Sequence, residues 1–519
     1  MVQARRLKKS VELFPPSHTP SLLLPILALM LVLGISFFLR QVEPSLGVRA
    51  LKLSTPDLSR PNVILISMDT VRADHLSIYG YVGNTTPRLK ELSQEASLYT
   101  NAIAPGDTTI STMASVFTGL YARKHGAHND VPDYPWGRPL ADKFQTLSEI
   151  LSKKGYFTMS IVANYGYISH HFGLDRGFQY HDQRAPVPFL GGTKFYSLRN
   201  LIRNILTCFA SPSDFDQRYL RAQDINREVF TLLQKVKEKD IPFFLFVNYM
   251  DAHDPYIPPP PFDNLFPGKN KHFDLDRYHK LVTEVLKLER KVTGGEYRHL
   301  VSQYDGGIAY IDFCIGKLIA RLKKLGLYEN CLIIIMSDHG EAFGERDLIN
   351  HGVSVYQDQI HVPLIIKYPN IRENVVVNET VSLCDLMPTI LDVLGFEMPG
   401  KVDGESILKL ELSKSREVVS ESFPEGGMAD MHIKFRRIER ALFSGPLKFV
   451  NSTAGKREVY DLSRDLNEKE NLYNGKDSLS KELEARLNQW LKDTKEESSS
   501  TIQLGKGAID RLKSLGYIK

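Results

Sequence analysis

The sequence predicts an α/β protein with a large, mostly parallel β-sheet flanked by helices. A smaller C-terminal α+β subdomain is expected to follow it, and one N-terminal transmembrane helix to precede it. Between residues 61 and 409, short apolar runs alternate with helical periodicities, which is the pattern of an α/β domain. After about residue 410 the chain changes to short strand-like pieces and a polar helix. Near the N-terminus, an uncharged apolar stretch is long enough to span a bilayer.

The composition indicates a globular protein and excludes some classes. Of the 519 residues, 42% are hydrophobic and 24% are charged, which excludes wholesale disorder. The 65 Lys and Arg residues nearly balance the 61 Asp and Glu residues, so no nucleic-acid partner is expected. The 4 cysteines show no CxxC pairing, which argues against a disulfide scaffold and against a zinc ribbon.

The N-terminal segment predicts a membrane anchor. A basic stretch, 1–21, precedes the apolar residues 22–39, which as a helix would measure about 27 Å. The basic flank favours a cytoplasmic N-terminus and an extracytoplasmic catalytic domain, although residues 40–60, the predicted tether, carry basic residues too. The run is long for a signal core and no A-x-A-like site follows it. A cleaved secretory signal and a buried soluble helix are the alternatives.

The predicted catalytic domain covers residues 61–409. Its near-continuous apolar runs suit strands buried on both faces of a sheet, and they lie at 62–68, 158–163, 243–249, 331–337 and 362–368. Apolar residues recur with helical spacing in 140–151 and 308–322. Two stretches that break this rhythm, 183–215 and 262–298, are predicted as surface insertions beside the pocket. Residues 410–497 are predicted as the C-terminal subdomain, with a helix near 478–493, and residues 498–519 as a terminal tail.

Three of the predicted strands end in carboxylate or imidazole side chains. Asp69 follows the first strand, Asp338 and His339 follow the fourth, and the sequence Asp251-Ala-His253-Asp254 follows the third. A single Asp in such a place is usually a helix cap or a turn residue. Because ligands of open parallel sheets bind beyond the carboxyl ends of the strands, three such ends favour a site for Mn²⁺, Zn²⁺, Ca²⁺ or Mg²⁺.

A cluster of polar residues precedes a predicted helix in 104–118. Asp107, Thr108 and Thr109 lie at its start, where a hydroxyl can cap the helix. The same position can bind a phosphate or sulfate group at the helix N-terminus, and a hydroxyl that contacts a divalent metal becomes a nucleophile. Lys124, His125 and His351 are further candidates for contacting the anion or the leaving group, although a lone His is more often structural.

Long motifs of this chain resemble the sulfatase branch of the alkaline phosphatase superfamily. They are PNVILISMDTVRADHLSIYGY (61–81), TISTMASVFTGLYARKHG (109–126), FVNYMDAHDPYIPP (246–259), IIIMSDHGEAFGE (333–345) and HGVSVYQDQIHVPLII (351–366). Later pieces, among them the tail RLKSLGY, are also similar, so that the resemblance covers roughly residues 60–519.

The resemblance implies a role for individual residues. Asp69, Asp338 and His339 would bind one divalent metal ion, and Thr109 would stand at the nucleophile position, also touching the metal. His253 and His351 would contact the anionic group or the leaving oxygen. Arg72, Asp74 and Asn164 would lie in the pocket around the metal.

The chain departs from the family pattern at the nucleophile. Sulfatases of the usual kind carry C/S-x-P-S-R, whose Cys or Ser becomes formylglycine, whereas this chain has TISTM at 109–113. Threonine cannot form that aldehyde, so no formylglycine is expected. Thr70 stands where many sulfatases have another Asp ligand, and His339 replaces the usual Asn. An imidazole ligand favours Mn²⁺ or Zn²⁺ over Ca²⁺.

The sequence therefore supports three functional hypotheses. The first is a membrane-anchored, metal-dependent hydrolase or transferase that cleaves phosphate esters or diesters through Thr109. The second is a true sulfatase that uses Thr109, or Ser111 after an unexpected modification. The third is an inactive binding homologue. The expected partner is an anionic ester, for which a membrane anchor suggests a lipid or a surface glycan.

Overall fold

The structure is a computed structural model, and it describes residues 60–129, 136–187, 191–193, 205, 218–409, 416–494, 505–515 and 517. The predicted basic segment, the predicted transmembrane helix and most of the predicted tether lie outside these residues, as does most of the insertion 183–215. Within the described ranges, no helix combines the length and the apolar character needed to cross a bilayer. The anchor at 22–39 stays a prediction from the sequence.

The described part of the large domain contains twelve strands, five of which occur where the apolar runs predict them. They are β1 (Asn62–Met68), β2 (Ser97–Ile103), β3 (Phe157–Val162), β4 (Tyr180–Asp182), β5 (Ala185–Val187), β6 (Gly191–Thr193), β7 (Phe243–Tyr249), β8 (Cys331–Met336), β9 (Ala342–Phe343), β10 (Ile349–Asn350), β11 (His361–Lys367) and β12 (Val375–Ser382). β5 pairs with β6 and β9 with β10, each as an antiparallel pair. The five apolar runs correspond to β1, β3, β7, β8 and β11.

The central sheet has the strand order β12-β2-β11-β8-β1-β7-β3-β4. β11 runs antiparallel to both of its neighbours, and the remaining neighbours pair in parallel. This confirms the predicted mostly parallel sheet. β1 lies at its centre between β7 and β8. Since parallel strands end at the same edge, the residues that follow these three strands meet there.

Helices separate most of these strands. They are α1 (Pro87–Leu92), α2 (Thr109–Thr118), α3 (Ala122–His125), α4 (Leu147–Lys153), α5 (Ala222–Lys239), α6 (Leu275–Leu286), α7 (Gly294–Leu325), α8 (Gln357–Ile360) and α9 (Leu386–Val393). Short 3₁₀ helices lie at Ala73–His75, Ser77–Tyr79, Ser93–Glu95, Phe262–Asn264, Glu345–Asp347, Leu383–Asp385, Ile407–Lys409 and Ile433–Phe435. The predicted insertion 262–298 thus contains α6 and the first turn of α7.

The helices cover both faces of the sheet. The rings of Phe246 in β7 and Phe117 in α2 lie 5.2 Å apart between centroids. The hydroxyl of Tyr249, three residues further along β7, donates to Asn226 Oδ1 of α5 at 2.6 Å. Because side chains alternate along a strand, residues three apart point to opposite faces. The sheet therefore lies between α2 and α5, as predicted for an α/β domain.

The long helix α7 holds two of the loops that follow central strands. Tyr304 of α7 donates from its hydroxyl to Thr70 O at 2.7 Å and accepts from Arg72 N at 2.8 Å, just after β1. Gly307 of α7 packs against Asp251, just after β7, so closely that a Cβ would collide with the Asp251 carbonyl. These contacts fix the backbone at the edge of the sheet where the predicted site lies.

The C-terminal subdomain is an antiparallel sheet covered by a helix. Its strands are β13 (Glu417–Ser422), β14 (Glu439–Ser444), β15 (Leu447–Ser452) and β16 (Arg457–Asp461), in that order across the sheet, and its helices are α10 (Gly426–Met431) and α11 (Ser478–Asp493). Leu483 and Leu487 of α11 pack with Val419 and Phe449 in one buried cluster. This confirms the α+β character predicted for the subdomain.

The last described segment returns to the large domain. Helix α12 (Lys506–Leu515) buries Leu512 and Leu515 in the main hydrophobic core. It lies against the loop after β3, where a Cβ on Gly166 would meet Leu515 Cδ1 at 2.7 Å. The hydroxyls of Tyr165 and Ser514 are 2.9 Å apart and join this loop to the helix. Part of the predicted tail is therefore a packed helix.

Candidate metal and anion site

Asp69, Asp338 and His339 come together at the carboxyl edge of the sheet. Asp69 directly follows β1, and the other two residues follow β8 one residue after its end. One potential ligand atom from each residue lies within 4.8 Å of the other two, and all three side chains are fully buried. The adjacent pairing of β1 and β8 brings residues 269 or more positions apart into one cluster.

The hydrogen bonds around the cluster leave one atom of each residue available. Asp69 Oδ2 accepts from Asn164 Nδ2 at 3.1 Å, and Asp338 Oδ1 accepts from Thr70 N at 3.3 Å. Asp69 Oδ1 and Asp338 Oδ2 are buried and have no hydrogen-bond partner among the residues that the structure describes. His339 Nδ1 lies 3.0 Å from Gly340 O. Nδ1 therefore carries the proton, and the lone pair of Nε2 faces the two carboxylates.

This arrangement fits a divalent cation. Two buried carboxylate oxygens without a hydrogen bond are costly unless a positive charge neutralises them. Burial, together with the neighbouring Asp338, raises the pKa of Asp69, and burial raises the pKa of Asp338 to about 6. Burial also lowers the pKa of His339 to about 3, so its imidazole is neutral as a metal ligand must be. Two oxygens and one imidazole nitrogen suit Mn²⁺ or Zn²⁺.

Thr109 places its hydroxyl beside this cluster. It is the first residue of α2, and Thr108 before it has an extended backbone. Thr109 Oγ1 lies 3.4 Å from His339 Nε2 and 3.4 Å from Asn164 Nδ2. The start of the helix also provides unpaired N–H groups that favour a bound anion. The hydroxyl and the ligand atoms thus face a common point.

Two asparagines orient Asp69. Asn164 Nδ2 and Asn248 Nδ2 both approach Asp69 Oδ2, at 3.1 and 3.2 Å. Asn248 is the polar residue near the end of the otherwise apolar β7, and its Oδ1 accepts from Asn164 N at 2.9 Å. Asn164 therefore lies in the site as the sequence predicted, and Asn248 is an addition that its place near the end of a buried strand could have indicated.

His253 carries a positive charge in the site. Its Nδ1 lies 2.9 Å from Asp254 Oδ1 and 3.0 Å from Asp254 O. Burial alone would lower the pKa of His253, but the Asp254 carboxylate outweighs it and raises this pKa to about 10. The third strand-end carboxylate, Asp251, instead accepts from Ala222 N at the start of α5, so it serves as a helix cap.

His351 is neutral, although it lies beside His253. The two rings are 5.0 Å apart, and the His351 ring is 4.4 Å from that of His339. Burial, reinforced by the positive charge of His253, lowers the pKa of His351 to about 4. Its Nδ1 lies 3.1 Å from Glu341 Oε1. Burial raises the pKa of Glu341 to about 8, so this carboxyl can share a proton with the imidazole.

Three predicted substrate-binding residues have partners away from the cluster. Arg72 donates to both carboxylate oxygens of Asp74 and to Glu345 Oε1. Lys124 Nζ lies 2.7 Å from Asp403 Oδ1. In His125, Nε2 is 2.9 Å from Ser115 Oγ and Nδ1 accepts from Ala127 N. The side chains of Arg72, Lys124 and His125 are therefore engaged within the protein. Their predicted contact with substrate has no support from this geometry.

The structure adds residues to which the sequence analysis assigned no individual role. They are Asn248, Asp254, Glu341, Glu425 and Tyr517. Asp254 and Glu341 lie next to predicted residues in the motifs DAHD and SDHGE, so the motifs themselves could have indicated them. Glu425, in the C-terminal subdomain, and Tyr517, after α12, are brought in by tertiary packing alone.

We expect Mn²⁺ or Zn²⁺ to raise the Tm of chelator-treated protein, because a ligand that binds only the folded state stabilises that state. At a metal concentration of 100 times Kd, the free energy of unfolding increases by about 2.7 kcal/mol. Asp338→Asn removes one charged ligand and should abolish most of the shift in differential scanning fluorimetry. Asp493→Asn, at the exposed end of α11, should keep it. Equal shifts in all three proteins would contradict the site.

Comparison with known proteins places this chain in a family. The sulfatase family model matches residues 61–396, and the model of the N-sulphoglucosamine sulphohydrolase C-terminal region matches residues 344–497. An arylsulfatase of Clostridium perfringens is 23% identical over 462 residues, which cover 80% of this chain and 91% of the relative. A multifunctional alkaline phosphatase superfamily protein of Trinickia caryophylli is 24% identical over 439 residues, covering 73% and 80%.

Solved structures share the fold. The phosphonate monoester hydrolase of Agrobacterium radiobacter superposes with a TM-score of 0.61 at 19% identity, over 84% of this chain and 95% of the other. That of Silicibacter pomeroyi superposes with a TM-score of 0.63 at 20% identity, over 86% and 98%. Because the sulfatase family model alone spans more than half of the chain, the protein belongs to the sulfatase family of hydrolases, within the alkaline phosphatase superfamily.

Proposed function

We propose that the protein is a divalent-metal-dependent hydrolase or transferase that cleaves phosphate esters or diesters through Thr109. The observation that carries this proposal is the position of the Thr109 hydroxyl, 3.4 Å from His339 Nε2 at the start of α2. No cysteine lies between residues 105 and 123. A threonine in this place can act directly as an alkoxide but cannot become formylglycine.

Ser111 is poorly placed to act instead. Its Oγ donates to Thr108 O at 3.0 Å and lies 2.8 Å from Thr108 Oγ1. These bonds keep the Ser111 hydroxyl within the first turn of α2 and apart from the ligand atoms of Asp69, Asp338 and His339. Thr109 is therefore the nucleophile that the geometry supports.

The proposed reaction has two displacements. Thr109 Oγ attacks phosphorus, the bond to the leaving oxygen breaks, and that oxygen takes up a proton. A phosphothreonine results, and attack by water or by an acceptor hydroxyl on its phosphorus restores Thr109. A bound divalent cation would favour loss of the Thr109 proton to solvent and would neutralise charge on the phosphoryl oxygens.

The two histidines near Thr109 have different tasks. His253 keeps its positive charge through Asp254 and can stabilise the anion or protonate the leaving oxygen. His351, held by Glu341, is neutral and can accept a proton from the incoming water or acceptor hydroxyl. The persistence of this complete set argues against an inactive homologue.

A sulfate ester is the second candidate substrate. Several relatives carry the name sulfatase, among them the arylsulfatase of Clostridium perfringens, and the metal and anion geometry would suit sulfate as well as phosphate. Sulfate transfer to threonine lacks the easy release step of an aldehyde hydrate. We therefore favour phosphate.

Thr109→Ala in residues 41–519 should lower turnover of a 4-nitrophenyl phosphodiester by about a thousandfold or more, because the nucleophile is lost. The assay compares phosphodiester, phosphomonoester and sulfate esters with Mn²⁺ or Zn²⁺ supplied. Thr118→Ala, at the other end of α2, serves as the control and should retain activity. Rapidly quenched wild-type protein should contain phosphothreonine in the peptide 105–123, which mass spectrometry detects.

Other outcomes would point elsewhere. Turnover dominated by the sulfate ester would establish a sulfatase and send the search to a modification of peptide 105–123. Diester turnover that persists in Thr109→Ala would exclude Thr109 as the nucleophile. No turnover of any ester, with metal binding intact, would favour the binding homologue.

We further propose that residues 22–39 anchor the protein in a membrane, with the N-terminus cytoplasmic and the catalytic domain extracytoplasmic. The support is the uncharged apolar stretch and its basic flank, and the substrate would then be a lipid or a glycan of the envelope. Full-length protein should sediment with membranes after a carbonate wash and be digested from the outer side, whereas 41–519 should stay in the supernatant. A full-length protein that stays in the supernatant would refute the anchor.

A further inference from the structure

The C-terminal tyrosine, Tyr517, enters the candidate site. Its backbone N–H donates to Leu512 O at 3.0 Å, directly after α12. The Tyr517 ring packs against Tyr167 at 4.8 Å and against His253 at 5.6 Å, measured between centroids. The anchoring of α12 on the loop after β3 thus also determines where this tyrosine lies.

Among the described residues, the Tyr517 hydroxyl has two hydrogen-bonding neighbours, and both are donors. Asn164 Nδ2 lies 3.2 Å away and His253 Nε2 lies 3.1 Å away. Nδ2 of an amide has no lone pair to offer. The Asp254 carboxylate beside Nδ1 outweighs burial and raises the pKa of His253 to about 10, so the ring is an imidazolium and Nε2 also donates. Both bonds therefore end on the tyrosine oxygen, and its O–H proton is left to donate elsewhere.

The Tyr517 hydroxyl lies close to the nucleophile and to the candidate metal ligands. Asn164 Nδ2, which contacts Tyr517, also lies 3.4 Å from Thr109 Oγ1 and 3.1 Å from Asp69 Oδ2. Asn164 thus connects the tyrosine hydroxyl to both Thr109, the proposed nucleophile, and Asp69, a candidate metal ligand. Burial raises the pKa of Tyr517 well above its usual range, so the hydroxyl keeps its proton.

We propose that Tyr517 is a substrate-binding residue of the site, and that its hydroxyl donates a hydrogen bond to an oxygen of the anionic ester held beside Thr109. This inference rests on the proposed function for the identity of the anion. The inference also assigns a role to helix α12, because α12 positions Tyr517 beside residues that are far from it in the sequence.

Tyr517→Phe keeps the ring and removes only the donor. It should lower kcat/KM for the 4-nitrophenyl ester by about 10- to 100-fold, the effect of losing one hydrogen bond to a charged group. The metal-induced Tm shift should be unchanged, because the metal ligands are untouched. Tyr328→Phe is the matched control. Tyr328 lies just before β8, at the opposite edge of the sheet, and its hydroxyl donates to Glu95. This variant should have the activity of the wild type.

The outcomes separate this inference from the proposed function. Unchanged kcat/KM in Tyr517→Phe, with Thr109→Ala inactive, would show that the hydroxyl does not contact the substrate. A rise in activity would identify Tyr517 as a plug over the site and overturn the inference. A smaller Tm shift would mean that the tyrosine acts on the metal site through Asn164.

An independent observation concerns Glu425, which precedes α10. It is 7% exposed, and within the described ranges its carboxylate forms no hydrogen bond and no ion pair. A Cβ on Gly352 would lie 2.8 Å from Glu425 Oε2 and 3.2 Å from Thr108 Cγ2. The carboxylate therefore lies beside the residues adjacent to His351 and Thr109.

The surroundings of Glu425 favour a cationic partner. Burial, followed by the negative charges of Asp107 and Asp254, raises the pKa of Glu425 to about 8. A largely buried carboxylate has lost much of its hydration, and a ligand cation would compensate for that loss.

We propose that Glu425 binds an ammonium group on the alcohol portion of the ester, which again rests on the proposed function. The substrate would then carry an anion at Thr109 and a cation at Glu425. An aminoalkyl phosphodiester and an aminosugar ester share this chemistry.

The test compares 4-nitrophenyl 2-aminoethyl phosphate with 4-nitrophenyl propyl phosphate. Wild type should prefer the amino ester by about tenfold or more in kcat/KM, and Glu425→Gln should bring the ratio of the two values close to one. Glu405→Gln, at an exposed position remote from α10, should keep the wild-type ratio. The cation site would be refuted if the wild type showed no preference, or if Glu425→Gln left the ratio unchanged. The nucleophile is tested separately, because Thr109→Ala should lose activity toward both esters.

Discussion

The structure of the site depends on two buried carboxylate oxygens that lack a counter-charge. Within the described part of the chain, Asp69 Oδ1 and Asp338 Oδ2 have no hydrogen-bond partner, while the other oxygen of each residue accepts a hydrogen bond from a neighbour. Such a pair is costly unless a cation or a proton neutralises it. The parallel pairing of β1 with β8 creates the pair, and the hydrogen bonds from α7 to the loop after β1 maintain it.

Around this centre, charge is distributed unequally between two adjacent imidazoles. His253 and His351 lie 5.0 Å apart between ring centroids, yet one is charged and the other neutral. The difference arises from their partners, because Asp254 is an ionised carboxylate whereas Glu341 lies where burial favours its protonated form. A site with one fixed cation and one neutral base can hold an anion and still move a proton.

The C-terminal region contributes to the same centre from two directions. The subdomain presents Glu425 beside Gly352, and α12 carries Tyr517 to Asn164 and His253. The C-terminal subdomain and the segment after it therefore both place side chains beside the candidate site. Since the family members named above differ in what their names say they act on, such peripheral residues are suited to select substrate while the metal centre stays the same.

The sequence by itself predicted the α/β fold, five of its strands and the cluster of candidate metal ligands, because apolar runs mark buried parallel strands and the residues that follow such strands meet at one edge of the sheet. It also placed Thr109 at a helix start. Only the tertiary structure decided which polar residues face the centre. Arg72, Lys124 and His125 have the right chemistry but are held by Asp74, Asp403 and Ser115, whereas Glu425 and Tyr517 reach the site through contacts that no local pattern encodes.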